Sequence, residues 1–267
     1  MRKNLLIIFL ALSSLAIAAM MSSCSSIKKI IKPAPDTTVT YEKYDGKNAP
    51  IKKLRKGLLK TGKYEYNATL ELKGEIYNVK LFREIKFQKD YIILTEDIHT
   101  AIGKSTDRFM VDTATLLPFS RVAYEGIDEV LKLVFSKKAV SGYTVDDMGQ
   151  TNVNVDIKSP VFSDGFNLEL AITLMPLDEG YRNTVKYYDF RLDDIRTAEI
   201  EVPAIDEIQS FYGNFKCYRV FVHDPDLNTL DIYWVSTDGI PKIIKAETEV
   251  PTDFGKRRKA FELVNIY

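Results

Sequence analysis

The passage Lys63-Tyr64-Glu65-Tyr66-Asn67-Ala68-Thr69-Leu70-Glu71-Leu72, with Lys73-Gly74 and the run Ile76-Tyr77-Asn78-Val79-Lys80-Leu81 after it, decides the fold. Tyrosine and leucine alternate with polar residues, which is the period of a half-buried strand. Lys73-Gly74 supplies a turn, and Ile76 begins the return strand of a hairpin.

The same texture continues toward the C-terminus. Strands are predicted at 85–88, 91–95, 108–111, 120–124, 130–135, 139–145 and 152–157, then at 183–190, 195–202, 205–211, 215–222, 229–235, 240–249 and 260–266. Turn-forming residues separate them at short intervals, as in an antiparallel meander. Asn228 and Asp238-Gly239 sit where hairpin turns are expected, the glycine supplying the positive φ of a tight turn. Pro118, after two leucines, is read as the end of a strand, because proline cannot donate to a ladder. Trp234 alternates with Tyr233, so one ring faces inward and the other outward.

One segment breaks the period. Phe166, Leu168, Leu170, Ala171, Leu174 and Met175 recur at spacings of three and four, with Ser163 or Asp164 as N-cap and Pro176 as terminator. The spacing predicts a helix over about 164–175, short enough to plug one end of a curved sheet; the competing reading is one more buried strand. The expected fold is mainly β: a curved antiparallel sheet, or an open or closed barrel, with this short helix packed on it.

Upstream, Arg2 and Lys3 precede an apolar run from Leu5 to Ala19, followed by Met21-Ser22-Ser23-Cys24. That order is a secretory signal, and the cysteine after two small residues resembles a bacterial lipoprotein signal cleaved before Cys24. The apolar run is short for a membrane span, which needs ~20 residues, although a retained anchor is the alternative. Acylation at Cys24, by a diacylglycerol on the thiol and an N-acyl chain such as palmitate, would tether the mature chain to a membrane. The organisation expected is residues 1–23 as signal peptide, 24–60 as a lipidated basic linker, and 61–267 as one antiparallel β domain. Ser25-Ser26 holds no aspartate that would retain the protein at the inner membrane, so the expected site is the outer membrane, facing the periplasm.

Charge narrows the function. The chain carries 37 basic and 37 acidic residues, and losing residues 1–23 removes only Arg2 and Lys3, leaving a formal charge of −2. Nucleic-acid binders need a basic surface, so none is expected as partner. Between Ser25 and Lys60, ten basic residues face only Asp36, Glu42 and Asp45. This stretch is read either as a spacer kept extended by like charge or as a segment lying on anionic headgroups. With Cys24 acylated, Cys217 has no partner in the chain; its alternating strand context marks it as a buried structural thiol.

No catalytic constellation stands out. His99 and His223 lack a second histidine at metal-ligand spacing, and neither a nucleophile elbow nor a phosphate-binding glycine loop occurs. Asp146-Asp147, Asp193-Asp194 and Asp224-Pro225-Asp226 are the acidic pairs that could serve hydrolysis or calcium; solvated hairpin loops are the simpler reading. Ser105-Thr106-Asp107 and Ser136-Lys137-Lys138 are read as turns. No cofactor and no metal are expected. Fifteen tyrosines and fourteen phenylalanines would fill a core or line an apolar pocket.

Three stretches together carry a resemblance: Asp112-Thr113-Ala114-Thr115-Leu116-Leu117-Pro118, Leu174-Met175-Pro176-Leu177-Asp178-Glu179-Gly180-Tyr181, and Tyr233-Trp234-Val235-Ser236-Thr237-Asp238-Gly239-Ile240-Pro241-Lys242, the last preceded by Tyr212-Gly213-Asn214-Phe215-Lys216-Cys217-Tyr218-Arg219-Val220. Their order resembles exported β-rich bacterial proteins of domain-of-unknown-function family 3108, and more distantly is similar to the lipoprotein carriers of the Lol system. The resemblance implies a curved antiparallel sheet around a helix or an apolar cavity. It implies no activity and brings no functional residue with it. The function expected is non-enzymatic: a monomeric envelope lipoprotein that binds a lipid, a lipoprotein or another hydrophobic ligand. The alternatives are a scaffold in an envelope complex and, third, an enzyme with an unrecognised site.

Overall fold

The structure, a computed structural model, describes Tyr44 and residues 49–72, 75–101, 103–252 and 255–267. The signal segment, Cys24 and the Lys73-Gly74 turn lie outside the described residues.

The described residues form one curved sheet of fifteen strands, not closed into a barrel. Its centre is β1 (Gly62–Leu72), the strand of the opening passage. From β1 the chain meanders outward through β2 (Glu75–Phe87), β3 (Tyr91–His99), β4 (Lys104–Asp112), β5 (Pro118–Glu125), β6 (Asp128–Phe135), β7 (Ala139–Asp146) and β8 (Gly149–Asp156), which is one edge. It then crosses to the other edge, the two-residue β9 (Phe162–Ser163), forms α1 (Phe166–Thr173), and works back through β10 (Arg182–Asp189), β11 (Asp194–Ser210), β12 (Gly213–Asp224), β13 (Thr229–Ser236), β14 (Ile243–Thr252) and β15 (Gly255–Ile266). There β15 pairs with β1, Tyr64 opposite Ile266. All pairings are antiparallel except the short parallel contact of β9 with β10.

Two merged strands differ from the sequence reading. The expected break inside β2 falls at Phe82-Arg83-Glu84, because a charged pair looks like a turn. The strand runs straight through, with Arg83 opposite Tyr64 and buried on the inner face. Likewise 195–202 and 205–211 form one strand, β11. Pro203 is exposed within a register shift between Glu201 and Ala204, where a bulge removes the need for its missing N–H. Pro118 begins β5 rather than ending a strand. Ser105-Thr106-Asp107 lies inside β4 and is no turn, whereas Ser136-Lys137-Lys138 is one, its Ser136 Oγ accepting from the Ala139 N–H at 2.9 Å. Asn228 (φ 51°) and Gly239 (φ 66°) take the positive φ expected of them, though the loop holding Gly239 spans 237–242 and is longer than a tight turn.

The helix is shorter than predicted and lies deeper. Every residue of α1 is buried, Asn167 and Glu169 included, so it is enclosed by the curling sheet rather than laid across one end. Its N-cap is Gly165, at φ 76° where a side chain would be strained, and neither Ser163 nor Asp164 caps it. Asn167 does that work in reverse: its Oδ1 accepts from the Ser163 N–H at 2.9 Å and its Nδ2 donates to Leu116 O at 2.8 Å. At the other end Arg55 donates its N–H to Leu174 O at 2.7 Å and Nη2 to Thr173 O at 3.1 Å, satisfying carbonyls a helix leaves open.

Core packing therefore starts before Gly62. Tyr44, Ile51 and Leu59, all within the 24–60 stretch, belong to the main core with α1. Tyr44 stacks on Phe119 at 5.7 Å and donates its hydroxyl to Pro118 O at 2.9 Å. Cys217 is fully buried in that core, and burial pushes its thiol up to about 12. Tyr233 is buried, while Trp234 is half-exposed with its indole N–H on Asp206 at 2.8 Å.

Candidate functional site

A cleft of about 300 Å³ opens on the inner side of the sheet, beside the first turn of α1. Ala68, Leu70, Val79 and Leu81 of β1 and β2 form its apolar wall, Leu168 of α1 its floor, and Ala198 and Val222 the opposite wall. The mouth lies toward the hairpin tips at 126–127 and 225–228, since Ala123, Tyr124, Glu125, Leu227 and Thr229 border it.

Beneath the apolar wall runs a layer of buried charge. Arg83, from β2, donates Nε to Glu96 Oε2 at 2.7 Å, and its Nη2 lies 2.6 Å from both Glu96 and Glu169. The approach to Glu169 is an ion pair without an aligned hydrogen bond. The guanidinium is sandwiched by Phe166 and Phe261, at 4.8 and 4.7 Å. Burial pushes the Glu96 carboxyl up, but Arg83 and Lys259 outweigh it and hold the group below its ordinary value.

A second arginine repeats the pattern one wall away. Arg121, from β5, holds Asp107 through Nε at 3.1 Å and Nη2 at 2.6 Å, and Asp164 and Ser163 through Nη1. Phe109 and Phe190 flank it at 4.9 and 4.4 Å. Here burial wins: Asp107 is raised, and Asp164 is pushed up to about 6 by burial despite Arg121, with Asp189 adding to the rise. A third cluster closes the far wall, where Asp224 accepts from the Tyr187 hydroxyl at 2.9 Å and from Arg196 Nη2 at 2.8 Å.

The residues singled out in the sequence mostly fall elsewhere. Asp146-Asp147 is a hairpin turn, Asp146 accepting from the Met148 N–H at 2.8 Å. Asp193, at φ 52°, accepts from the Tyr188 hydroxyl at 2.8 Å. Asp224 lines the cleft, but its second oxygen also caps the turn through the Asp226 and Leu227 N–H groups at 3.0 Å, so it is a structural acceptor. His99 ends β3 against the Phe82 ring at 4.9 Å, and His223 Nδ1 is 3.7 Å from Glu199, near the end of β12. Among the described residues no three His, Cys, Asp or Glu side chains gather as a metal site. Of the buried charged residues in and beside the cleft, Arg83, Glu96, Arg121 and Glu169 were not picked out from the sequence, and Asp107 and Asp164 were read only as a turn residue and an N-cap. The available signal was a charged residue on the apolar register of a strand, as at Arg83 and Arg121.

The family model described as "Protein of unknown function (DUF3108)" matches residues 65–256. No curated protein matches. Among solved structures, a DUF1329 family protein from Desulfovibrio piger is 10% identical, with 77% of this chain and 84% of that one covered and a TM-score of 0.30. A protein from Bacteroides fragilis, provisionally described as exported with a YmcC-like fold, is 9% identical over 78% and 96%, TM-score 0.29. One from Parabacteroides distasonis, provisionally described as a lipoprotein, is 10% identical over 79% and 96%, TM-score 0.32.

Proposed function

The chain belongs to the DUF3108 family, and from that premise we propose that it is an outer-membrane-anchored lipoprotein, facing the periplasm, that binds an amphipathic ligand without transforming it. The observation that carries this reading is the cleft of about 300 Å³, which is at the small end of the range for ligand pockets. Its walls and its Leu168 floor are aliphatic, with Glu96, Asp107, Arg121 and Asp164 also lining it, a combination that suits a molecule with an apolar chain and a polar head, such as a lipid or the acylated end of a lipoprotein. The buried carboxylates beside it are each held by an arginine or a hydroxyl, which supports a role for them in shaping the cleft rather than in proton transfer. The tether is Cys24, which lies outside the described residues. Among the described residues no helix is long and apolar enough to cross a membrane.

Native mass spectrometry of the chain purified from its own envelope tests the binding. A co-purifying lipid that is released by Leu168→Trp, which fills the floor of the cleft, is the expected result; a chain that is empty as isolated sinks the reading.

The scaffold alternative draws on one observation. The edge strand β8 carries Gln150, Thr151, Asn152 and Asn154 exposed along an unpaired side, and such an edge can accept a strand from a partner.

A further inference from the structure

In a meander, successive loops fall on two rims. The cleft opens toward one of them. The other carries the entry into β1, the loops 88–90, 113–117, 136–138, 211–212 and 237–242, and the C-terminal Tyr267. The two rims differ in their exposed apolar side chains. Among the described residues the exposed large apolar side chains of the cleft rim are Ile76, Ile127, Met148 and Leu230. Among the described residues every exposed aromatic side chain is on the other rim: Phe87, Phe211, Tyr212 and Tyr267, with Phe211 75% exposed.

The entry on the aromatic rim is basic. Residues 49–61, which form the entry on the aromatic rim, carry Lys52, Lys53, Arg55, Lys56 and Lys60 and no acidic residue. Lys63 follows at the base of β1, over the Tyr267 ring at 5.9 Å. Asp90, Asp178, Glu179 and Asp238 also lie in the loops of this rim, and the loop leaving α1 meets the entry where the Arg55 N–H donates to Leu174 O at 2.7 Å. Aromatic side chains interleaved with lysines are the composition that settles at a lipid headgroup layer, where the ring is half apolar and the ammonium meets phosphate.

The chain itself runs to this rim. Tyr44 is fixed on Phe119 and Pro118, at the start of β5. Cys24 and Tyr44 are twenty positions apart, and that length spans at most about 70 Å. A rim held so close to a membrane needs little intrinsic affinity to settle on it.

We propose that the rim bearing Phe87, Phe211, Tyr212, Tyr267 and the 49–61 lysines is a docking surface for an anionic lipid bilayer, so that the cleft mouth faces away from the membrane that carries the chain. The proposal rests on the Cys24 anchor of the function proposed above but not on its cleft, so an empty cleft leaves it intact.

The test uses the chain extracted from its own membrane and returned to vesicles of phosphatidylcholine, with or without phosphatidylglycerol. A polarity-sensitive dye is placed on Phe211→Cys or, as the opposite-rim control, on Ile127→Cys; the unsubstituted chain is the labelling blank, Cys217 being buried. The dye at 211 brightens on phosphatidylglycerol vesicles while the dye at 127 does not. Each positive charge removed at the entry, by Lys56→Gln and then Lys60→Gln, weakens the response about fivefold. Brightening at 127, no brightening at 211, or an equal response on phosphatidylcholine alone overturns the proposal. Both labelled positions are exposed turn residues, so folding is preserved, and a far-ultraviolet spectrum checks it.

Discussion

Arg83 and Arg121 invite comparison, because each is a buried guanidinium flanked by aromatic rings, with two carboxylates on it, yet the two sites balance differently. Arg83 is aided by Lys259, so Glu96 stays ionised with its proton affinity lowered. Arg121 holds Asp107 and Asp164, and Arg191 also favours the Asp164 charge, but burial, with Asp189 and Asp107 adding to it at Asp164, outweighs these cations and both carboxyls are raised. The difference teaches that the state of a carboxyl here is set by burial weighed against all the charges around it, and the balance falls opposite ways at the two sites. They also differ in what they join. Arg83 ties α1 to the central strands, whereas Arg121 ties β5 in one wing of the sheet to Asp164, just after the edge strand β9 of the other.

Removing either guanidinium gives the largest effect. Arg121→Met strands two carboxylates in the interior and is expected to cost about 3–5 kcal/mol, as is Arg83→Met. Hydrogen exchange separates them: the Arg121 variant loses protection at β9 and the start of β10, and the Arg83 variant loses it along α1. Identical patterns of loss would show that the two arginines do not act on separate joints.

A smaller effect depends on pH. The folded protein protonates Asp164 near 6, above the ordinary aspartate value, so between about pH 6 and 4 the native state takes up the proton first. That group therefore adds stability as pH falls through the window, by up to about 1.4 kcal/mol per unit. Glu96, being lowered, contributes the opposite way, and its share is lost only at more acid pH. Urea titrations are expected to show a steeper upward trend toward pH 4 in the parent than in Asp164→Asn, where raised Asp107 remains. Equal slopes would mean that Asp164 ionises normally.

The third cluster is the smallest test. Tyr187→Phe removes one donor from Asp224 but leaves Arg196 in place, so a loss of about 1 kcal/mol in thermal or urea unfolding is expected. A loss as large as that of the arginine variants would make Tyr187, rather than Arg196, the holder of Asp224.

These clusters explain what the sequence shows and hides. Alternation is a local property, so the strands around β1, the buried Cys217 and the turns at Asn228 and Ser136 are legible from residues a few positions apart. The Arg83 interruption misleads for the opposite reason. Its partners Glu96 and Glu169 come from β3 and α1, and without them a charged residue in a strand looks like a turn. The same holds for Asp164, which has the chemistry of an N-cap but is taken by an arginine from β5. The cleft was anticipated only as one outcome of an aromatic-rich β domain. Its lining turned out to be largely aliphatic and charged, with the rings packed behind the arginines.

By itself the sequence determined the mainly β character, the single short helix, the isolated thiol and the basic approach to the domain, because hydrophobic period, punctuation and charge runs are written along the chain. Only the tertiary structure decided that β1 is central, that the helix is enclosed on all sides, and that one rim is aromatic and the other borders a cleft. Those outcomes depend on which strands pair across long separations and on where a few buried arginines find their carboxylates, and neither is encoded in any local stretch.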